Sequence, residues 1–276
     1  MHVSLDSALG RQRRLNSVGE SVLQIAPNAA AAYSLRSLTG GDPKVVRVRR
    51  DTDGGAGDND EQDFTASGIS SGALVAFVGS GNDGFVETWY DQSGNGKDAT
   101  QATAASQPKI VSAGSLLNKL DFDGTANRLD IDFGSNLSQP NSIFMVHQSS
   151  TTLGAKNEFF DELGNTGQRT LLDQSSANYR IFAGSSATTN FAIDANENLV
   201  TAIYNGSSSI LAKNGTAQSS LNAGTQGISS TSAIGFSEGT TAYYQGSMRE
   251  FIIYNSDQTA NRVALETNIN SQYSIF

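Results

Sequence analysis

Apolar and polar residues alternate in short runs along most of the chain, and the runs are closed by Gly, Asn or Ser. Alternation of this kind places one side of a strand in a core and the other in water. Lys44 to Arg50 (KVVRVRR) reads as a strand with one basic face, and Val86 to Tyr90 as another. Further strands are predicted over Lys119 to Phe122, Arg128 to Phe133, Ser142 to Gln148, Arg169 to Asp173, Tyr179 to Ala183, Asn190 to Ile193, Leu199 to Tyr204, Ser209 to Lys213, Ser232 to Phe236 and Tyr243 to Tyr254. So many short strands at this spacing predict an all-β sandwich of two sheets packed face to face. Phe122, Leu129, Ile131, Phe144, Val146, Ile203, Phe251 and Ile253 are expected inside it. A few short helices interrupt the pattern. Ala73 to Val78 is an apolar helix-like run ended by Gly79 and Gly81, Gln258 to Ser271 suggests a late helix, and Ala29 to Leu38 fits either a short helix or a strand.

Residues 1–28 form a separate piece, an extended N-terminal arm ahead of a single domain over 29–276. Leu5, Leu9, Leu15, Val18, Val22 and Ile25 are spaced loosely like a helix stripe, with Arg11, Arg13 and Arg14 between them. Gly10 and Gly19 weaken a continuous helix, and Pro27-Asn28 closes the segment. The arm is either a poorly ordered terminus or an assembly segment. In the second case Leu5, Leu9 and Leu15 supply apolar contact and Arg11, Arg13 and Arg14 meet acidic partners. Its removal is then expected to leave a folded sandwich that no longer assembles.

Composition removes several classes of function. With no cysteine there are no disulfides, thiolate metal sites or cysteine nucleophiles. The two histidines, His2 and His147, are far apart, which disfavours a histidine-rich zinc site. A net charge of −9 argues against nucleic acid, which calls for a basic groove. No apolar run approaches the roughly 20 residues of a membrane span, so no membrane insertion is expected. The first residues contain no signal-peptide core, which predicts synthesis in a cytosol.

Three stretches, in this order, resemble one superfamily. Trp89-Tyr90-Asp91-Gln92-Ser93-Gly94-Asn95-Gly96 is similar to a strand–turn–strand opening, and Leu120-Asp121-Phe122-Asp123-Gly124 followed by Arg128-Leu129-Asp130-Ile131 to a pair of strands. Tyr244-Gln245-Gly246-Ser247-Met248-Arg249-Glu250-Phe251-Ile252-Ile253-Tyr254-Asn255 is similar to a closing strand followed by a short helix. The superfamily is the concanavalin A-like jelly roll in its laminin-G-like branch. A narrower resemblance starts from Ala31-Ala32-Tyr33-Ser34-Leu35-Arg36 and Val46-Arg47-Val48-Arg49-Arg50 and covers about 29–276. It points to the catalytic domain of fungal family 54 α-L-arabinofuranosidases, and equally to cysteine-free bacteriophage proteins. Met1 to Glu20 resembles the Leu/Arg arm of the phage versions.

The phage resemblance implies a virion structural protein, a capsid decoration, tail fibre or spike, that displays an adhesive jelly roll. Its implied partners are other virion proteins of the capsid or tail, host surface glycans and further copies of itself in a homo-oligomer. Its implied location is the virion. The alternative is a glycoside hydrolase of the α-L-arabinofuranosidase type. There Glu197, in Asp194-Ala195-Asn196-Glu197-Asn198, matches the nucleophile, and Glu238 is the nearest carboxylate to the acid/base. The competing reading makes both of them solvated loop carboxylates.

Three more features are weighed on their residues. Trp89, Tyr90, Asp91 and Gln92 either line a sugar-binding face or belong to turn chemistry, in which Gly94 and Gly96 supply positive φ. The acidic loop holding Asp51, Asp53, Asp58 and Asp60 is an exposed hairpin tip or a wrap for Ca²⁺, which takes six to eight oxygens; no other cofactor is expected. His147, within Phe144-Met145-Val146-His147-Gln148, is a hydrogen-bonded strand histidine or a base.

Overall fold

The computed structural model describes residues 19–52, 60–150, 158–164, 167–175, 177–238 and 242–276. A four-residue helix α1 (Val22–Ile25) leads into β1 (Ala31–Ser34), so the Ala29 to Leu38 run resolves as a strand. Next come β2 (Lys44–Asp51), β3 (Glu61–Thr65), α2 (Ala66–Ser70), α3 (Ala73–Val78) and β4 (Asp83–Trp89). The Thr65 hydroxyl caps α2 by accepting from the Gly68 N–H at 3.1 Å. Short strands follow: β5 (Ala99–Thr100), β6 (Lys109–Ser112), β7 (Ser115–Asp123), β8 (Leu129–Asp132) and β9 (Asn141–Ser149). The next group is β10 (Glu158–Glu162), β11 (Leu171–Ser175), β12 (Asn178–Phe182), β13 (Ser186–Ala192), β14 (Glu197–Tyr204), β15 (Ser209–Lys213) and β16 (Thr216–Leu221). The chain closes with β17 (Thr231–Ile234), β18 (Phe236–Ser237), β19 (Ala242–Tyr243), β20 (Gln245–Tyr254) and α4 (Arg262–Tyr273).

All pairings are antiparallel. One run of ladders is β3–β2–β4–β5–β8–β17–β10–β11–β12–β13. A second is β7–β20–β9–β14–β15–β16, with β1 also on β20. Strand alternation predicts two separate sheets. The ladders differ from this, because β4 also pairs β6, and β6 pairs β7. The two runs are therefore joined into one large antiparallel sheet that is nearly barrel-shaped. A mostly-β fold stands, while the joining β6–β7 hairpin was not readable from alternation alone.

The hydrophobic core has two parts. The main cluster gathers Trp89, Tyr33, Phe122, Leu129, Ile131, Met145, Phe251 and Ile253. Phe144 and Val146 are also buried but lie in a second cluster, with Val22, Leu38, Ile252, Tyr254, Leu265 and Ile269. The cause is α4, which covers the outer face of β9 and β20, so these strands are buried on both sides. Ile203 is buried as expected.

The second cluster also moves the start of the packed chain. Val22 and Ala26 are essentially inaccessible, the Leu23 N–H donates to the Leu38 carbonyl at 3.1 Å, and the Tyr254 hydroxyl donates to the Ala26 carbonyl at 3.0 Å. Residues assigned to an arm over 1–28 thus include part of the core. Leu5, Leu9, Arg11, Arg13, Arg14 and Leu15 lie outside the described residues.

Candidate functional site

The turn after β4 is occupied by the fold itself. Asp91 Oδ1 accepts from the N–H groups of Ala32 at 2.9 Å and Ser93 at 2.8 Å, and Oδ2 from the Ser93 hydroxyl at 2.7 Å and the Lys97 N–H at 3.0 Å. Buried Gln92 accepts from the Leu38 N–H and donates to the carbonyls of Ser34 and Arg36. Trp89 is fully buried with its ring 5.6 Å from that of Tyr33, so neither of its faces meets solvent. Half-buried Tyr90 donates its hydroxyl to Asp63 at 2.7 Å. The four residues suggested as a sugar face tie β1, β4 and the following loop together.

The acidic loop gives no metal centre among the described residues, where no group of three or more His, Cys, Asp or Glu is placed to hold an ion. Asp51 lies 3.8 Å from Arg49 and Asp60 2.8 Å from Arg50. Asp53 and Asp58 fall outside the described residues.

Glu197 and Glu238 stand on different ladders. Glu197 opens β14 opposite Gln148 on β9 and forms an ion pair with Arg249 at 2.8 Å. Glu238 is exposed and follows β18.

A different set of charges converges on β10, β11 and β12. Leu172, Tyr179 and Ile181 belong to the main core, so alternation turns Asp173 and Arg180 to the other face. A bulge between Glu158 and Phe160 brings Glu158 directly opposite Asp173. Glu158, Asp161 and Asp173 are all inaccessible to solvent. Arg180 grips Asp173 with two N–H donors, Nε to Oδ1 at 2.7 Å and a second, shorter contact from Nη2 to Oδ2. Arg169 clasps Asp161 in the same way, Nε to Oδ1 at 2.9 Å and Nη2 to Oδ2 at 2.6 Å, and the Ser237 hydroxyl donates to Asp161 at 2.6 Å. Only the two guanidiniums reach the surface, at 23% and 24% side-chain exposure, so they close the cluster from outside.

This arrangement carries unusual electrostatics. Burial raises the Asp173 carboxyl above the usual carboxylate range, against the opposing pull of Arg180 and of a hydrogen bond from Glu158. Two carboxyl groups facing each other in a buried site cannot both ionise cheaply. Arg180 occupies both oxygens of Asp173. Sequence reading missed this site because no strand was assigned over 158–162. A signal was present: three carboxylates within Glu158-Phe159-Phe160-Asp161-Glu162, too many for an ordinary half-buried strand.

His147 lies on the interior face and is not part of the cluster. Its Nε2 is 2.8 Å from the Tyr179 hydroxyl, its Nδ1 is 3.2 Å from that of Tyr244, and its ring centre is 4.6 Å from that of Phe159. Burial, aided by Lys213, lowers its pKa from 6.5 to about 3, so the ring is neutral in the folded chain. The unfolded chain takes up the proton first as pH falls. Stability is therefore retained above about pH 6.5 and declines toward pH 3, by up to about 1.4 kcal/mol per pH unit. Urea midpoints measured between pH 7 and 4.5 are expected to show this slope, and His147→Gln to remove it from the difference curve. Parallel curves for the two proteins would refute the assignment.

No protein-family model matches the sequence, and no curated protein does. Solved structures do match. An arabinofuranosidase complexed with arabinofuranosyl-α-1,2-xylobiose aligns with a TM-score of 0.63 at 13% identity over 90% of this chain and 64% of its own. Two further structures of a family 54 α-L-arabinofuranosidase, one soaked with a cyclic sulfate inhibitor and one a variant soaked with 4-nitrophenyl α-L-arabinofuranoside, align at TM-scores of 0.60 and 0.61, also at 13% identity over 90% of this chain and 64% of theirs. The chain thus spans just under two thirds of the length of these proteins. At this identity the likeness establishes the fold. It also overturns the virion structural reading and its capsid and tail assignments: the matching structures are arabinofuranosidases.

Proposed function

We propose that this chain is a glycoside hydrolase of the α-L-arabinofuranosidase type, with Glu158 and Asp173 as its catalytic pair. The observation that carries this reading is the cross-strand juxtaposition of the two buried carboxyl groups, of which Asp173 is raised by burial. Directly opposite residues of an antiparallel pair keep their Cβ atoms about 4.5–5.5 Å apart. Retaining glycosidases likewise work with a pair of carboxyl groups, one nucleophile and one acid/base. A concanavalin A-like jelly roll, the finer reading of the sheet, agrees with the same assignment.

In this reading Glu158 donates its proton to the glycosidic oxygen as the bond to the anomeric carbon breaks. Asp173 attacks that carbon and forms a glycosyl ester. Glu158, now a carboxylate, takes a proton from water, which attacks the ester and frees Asp173. Arg180 fixes the orientation of Asp173 and keeps it anionic for the first step. Asp161, neutralised by Arg169 and braced by Ser237, forms the adjoining wall. Arg169 and Arg180 cover the pair from the solvent side, so their outer N–H groups are the first donors a sugar meets.

The test is direct. The protein is incubated with 4-nitrophenyl α-L-arabinofuranoside while proton NMR follows the anomer first released. Release of arabinose with retained configuration is expected. No release from this substrate, from arabinan or from arabinoxylan would overturn the proposal, and release with inversion would remove Asp173 from the nucleophile's place.

A further inference from the structure

A cavity of about 370 Å³ opens between the segment after β1, α2, β7, the middle of β20 and the last turn of α4. It lies on the second run of ladders, whereas Glu158 and Asp173 belong to the first. Small-ligand sites span roughly 300–1,000 Å³, so this one takes a single sugar-sized molecule rather than a chain. Leu35, Ala66 and Ile69 form an apolar floor. The rest of the lining is polar, and among the described residues it contains no aspartate or glutamate. In a chain of net charge −9 this sets the cavity apart, because its only charged groups are two arginines.

Both arginines are held from behind and keep N–H groups to spare. Arg36 directs Nε and Nη2 to Glu250 at 2.8 and 2.9 Å, and Nη2 also to Asn268 at 3.1 Å. Arg249 Nε lies 2.8 Å from Glu197. The two guanidiniums pack against one ring, that of Tyr273, at 5.7 and 5.5 Å from its centre. Nη1 of Arg36 and both Nη groups of Arg249 are left without a hydrogen bond among the described residues. Asn118 adds an amide from β7. It is exposed and stands at φ +56°, a left-handed conformation that Asn and Asp adopt more readily than other side chains. Its amide and that of Gln272 form no hydrogen bond among the described residues.

These groups select a ligand class. Guanidiniums with unused N–H groups pair with an oxyanion. Glu250 and Glu197 already balance the two arginine charges, so a bound monoanion leaves one excess negative charge and a dianion leaves two. A carboxylate is therefore favoured over a phosphate. The amides of Asn118 and Gln272 can each donate and accept, which suits hydroxyl groups on the same molecule. The floor of Leu35 and Ile69 suits an apolar C–H face. One carboxylate, several hydroxyls and a C–H face occur together in the ring of a uronic acid.

We infer that the cavity between Arg36 and Arg249 is a binding site for a uronic acid, recognised through its carboxylate. The inference does not rest on the hydrolase reading of the Glu158–Asp173 pair, and its test needs no turnover. The wild type, Arg249→Gln and Asn118→Asp are titrated calorimetrically with sodium glucuronate, sodium galacturonate, glucose and inorganic phosphate at constant ionic strength. At least one uronate is expected to bind the wild type, and glucose is not. Arg249→Gln is expected to bind that uronate at least about tenfold more weakly, the loss of one charged hydrogen bond. Asn118→Asp keeps the side-chain size and tolerates the left-handed backbone, but it sets a negative charge in the wall, so binding is expected to disappear. It alters only an exposed side chain and decides the case if Arg249→Gln fails to fold. Tighter binding of phosphate than of either uronate would overturn the carboxylate assignment. Glucose bound as well as a uronate, no heat from either uronate at millimolar concentration, or equal affinity in wild type and Asn118→Asp would overturn the site.

Discussion

Glu158→Gln is expected to lower kcat by about 10²–10⁴, the range supplied by one general acid–base group, with little change in thermal stability. The amide keeps the volume and can still donate to Asp173, so the cluster stays assembled, but it has no proton to give to a leaving group. The loss is expected to be largest for arabinan and smaller for a nitrophenyl glycoside, whose leaving group needs little protonation. Added azide is expected to restore turnover of the nitrophenyl substrate and to yield a glycosyl azide of retained configuration, because the neutral amide no longer presents the carboxylate charge that repels the anion from the glycosyl ester. Asp173→Asn loses the nucleophile and gains nothing from azide. It also leaves Arg180 without its carboxylate, so its unfolding transition is expected to drop as well. Glu197→Gln and Glu238→Gln act as the comparison. Glu197 is tied to Arg249 and Glu238 faces solvent, so both are expected to stay within about twofold of wild type, as for surface substitutions away from a site. A kcat collapse in either of these with Glu158→Gln active would move the catalytic centre to the pair that the sequence suggested.

The sequence was most legible where periodicity and packing agree. Ser142 to Gln148 and Tyr243 to Tyr254 read as strands and are the middle of the structure, in β9 and β20. The late helix was visible from Val263, Leu265 and Ile269 and is found at Arg262–Tyr273. What alternation could not show is which face a buried residue meets. Phe144 and Met145 look alike in sequence, yet one lies under α4 and the other in the main core. The candidate site was less legible for a related reason. Glu158 and Asp173 are brought together by a bulge and a ladder between distant segments, and neither leaves a local motif. Trp89 to Gln92 misled in the opposite direction. An aromatic pair beside an acid and an amide has the composition of a sugar site, but here Trp89 packs inside, Asp91 and Gln92 bond to backbone, and Tyr90 donates to the Asp63 carboxylate.

Glu250→Ala is expected to destabilise the fold by about 3–5 kcal/mol, the cost of stranding one member of a buried ion pair. Glu250 is 1% exposed, on β20. Its two oxygens accept from Arg36 Nε at 2.8 Å and Nη2 at 2.9 Å, and from the hydroxyls of Ser34 and Tyr273, each at 3.0 Å. Arg36 also donates to Asn268 at 3.1 Å. One carboxylate therefore clamps the end of β1, the middle of β20 and the C-terminal end of α4, with Arg36 reaching the middle of that helix, which closes the second core. Without it the guanidinium loses its charge partner and the Tyr273 hydroxyl an acceptor. The proper comparison is a double-mutant cycle read from urea transitions. Arg36→Met alone should cost less than Glu250→Ala alone, since it leaves a carboxylate that can take up a proton, whereas a guanidinium cannot shed one. Arg36→Met combined with Glu250→Leu should regain part of the loss, because apolar groups of similar volume remove both desolvation penalties. A cost below about 1 kcal/mol for Glu250→Ala would be that of an exposed pair, and would mean that α4 is held by Leu265 and Ile269 alone.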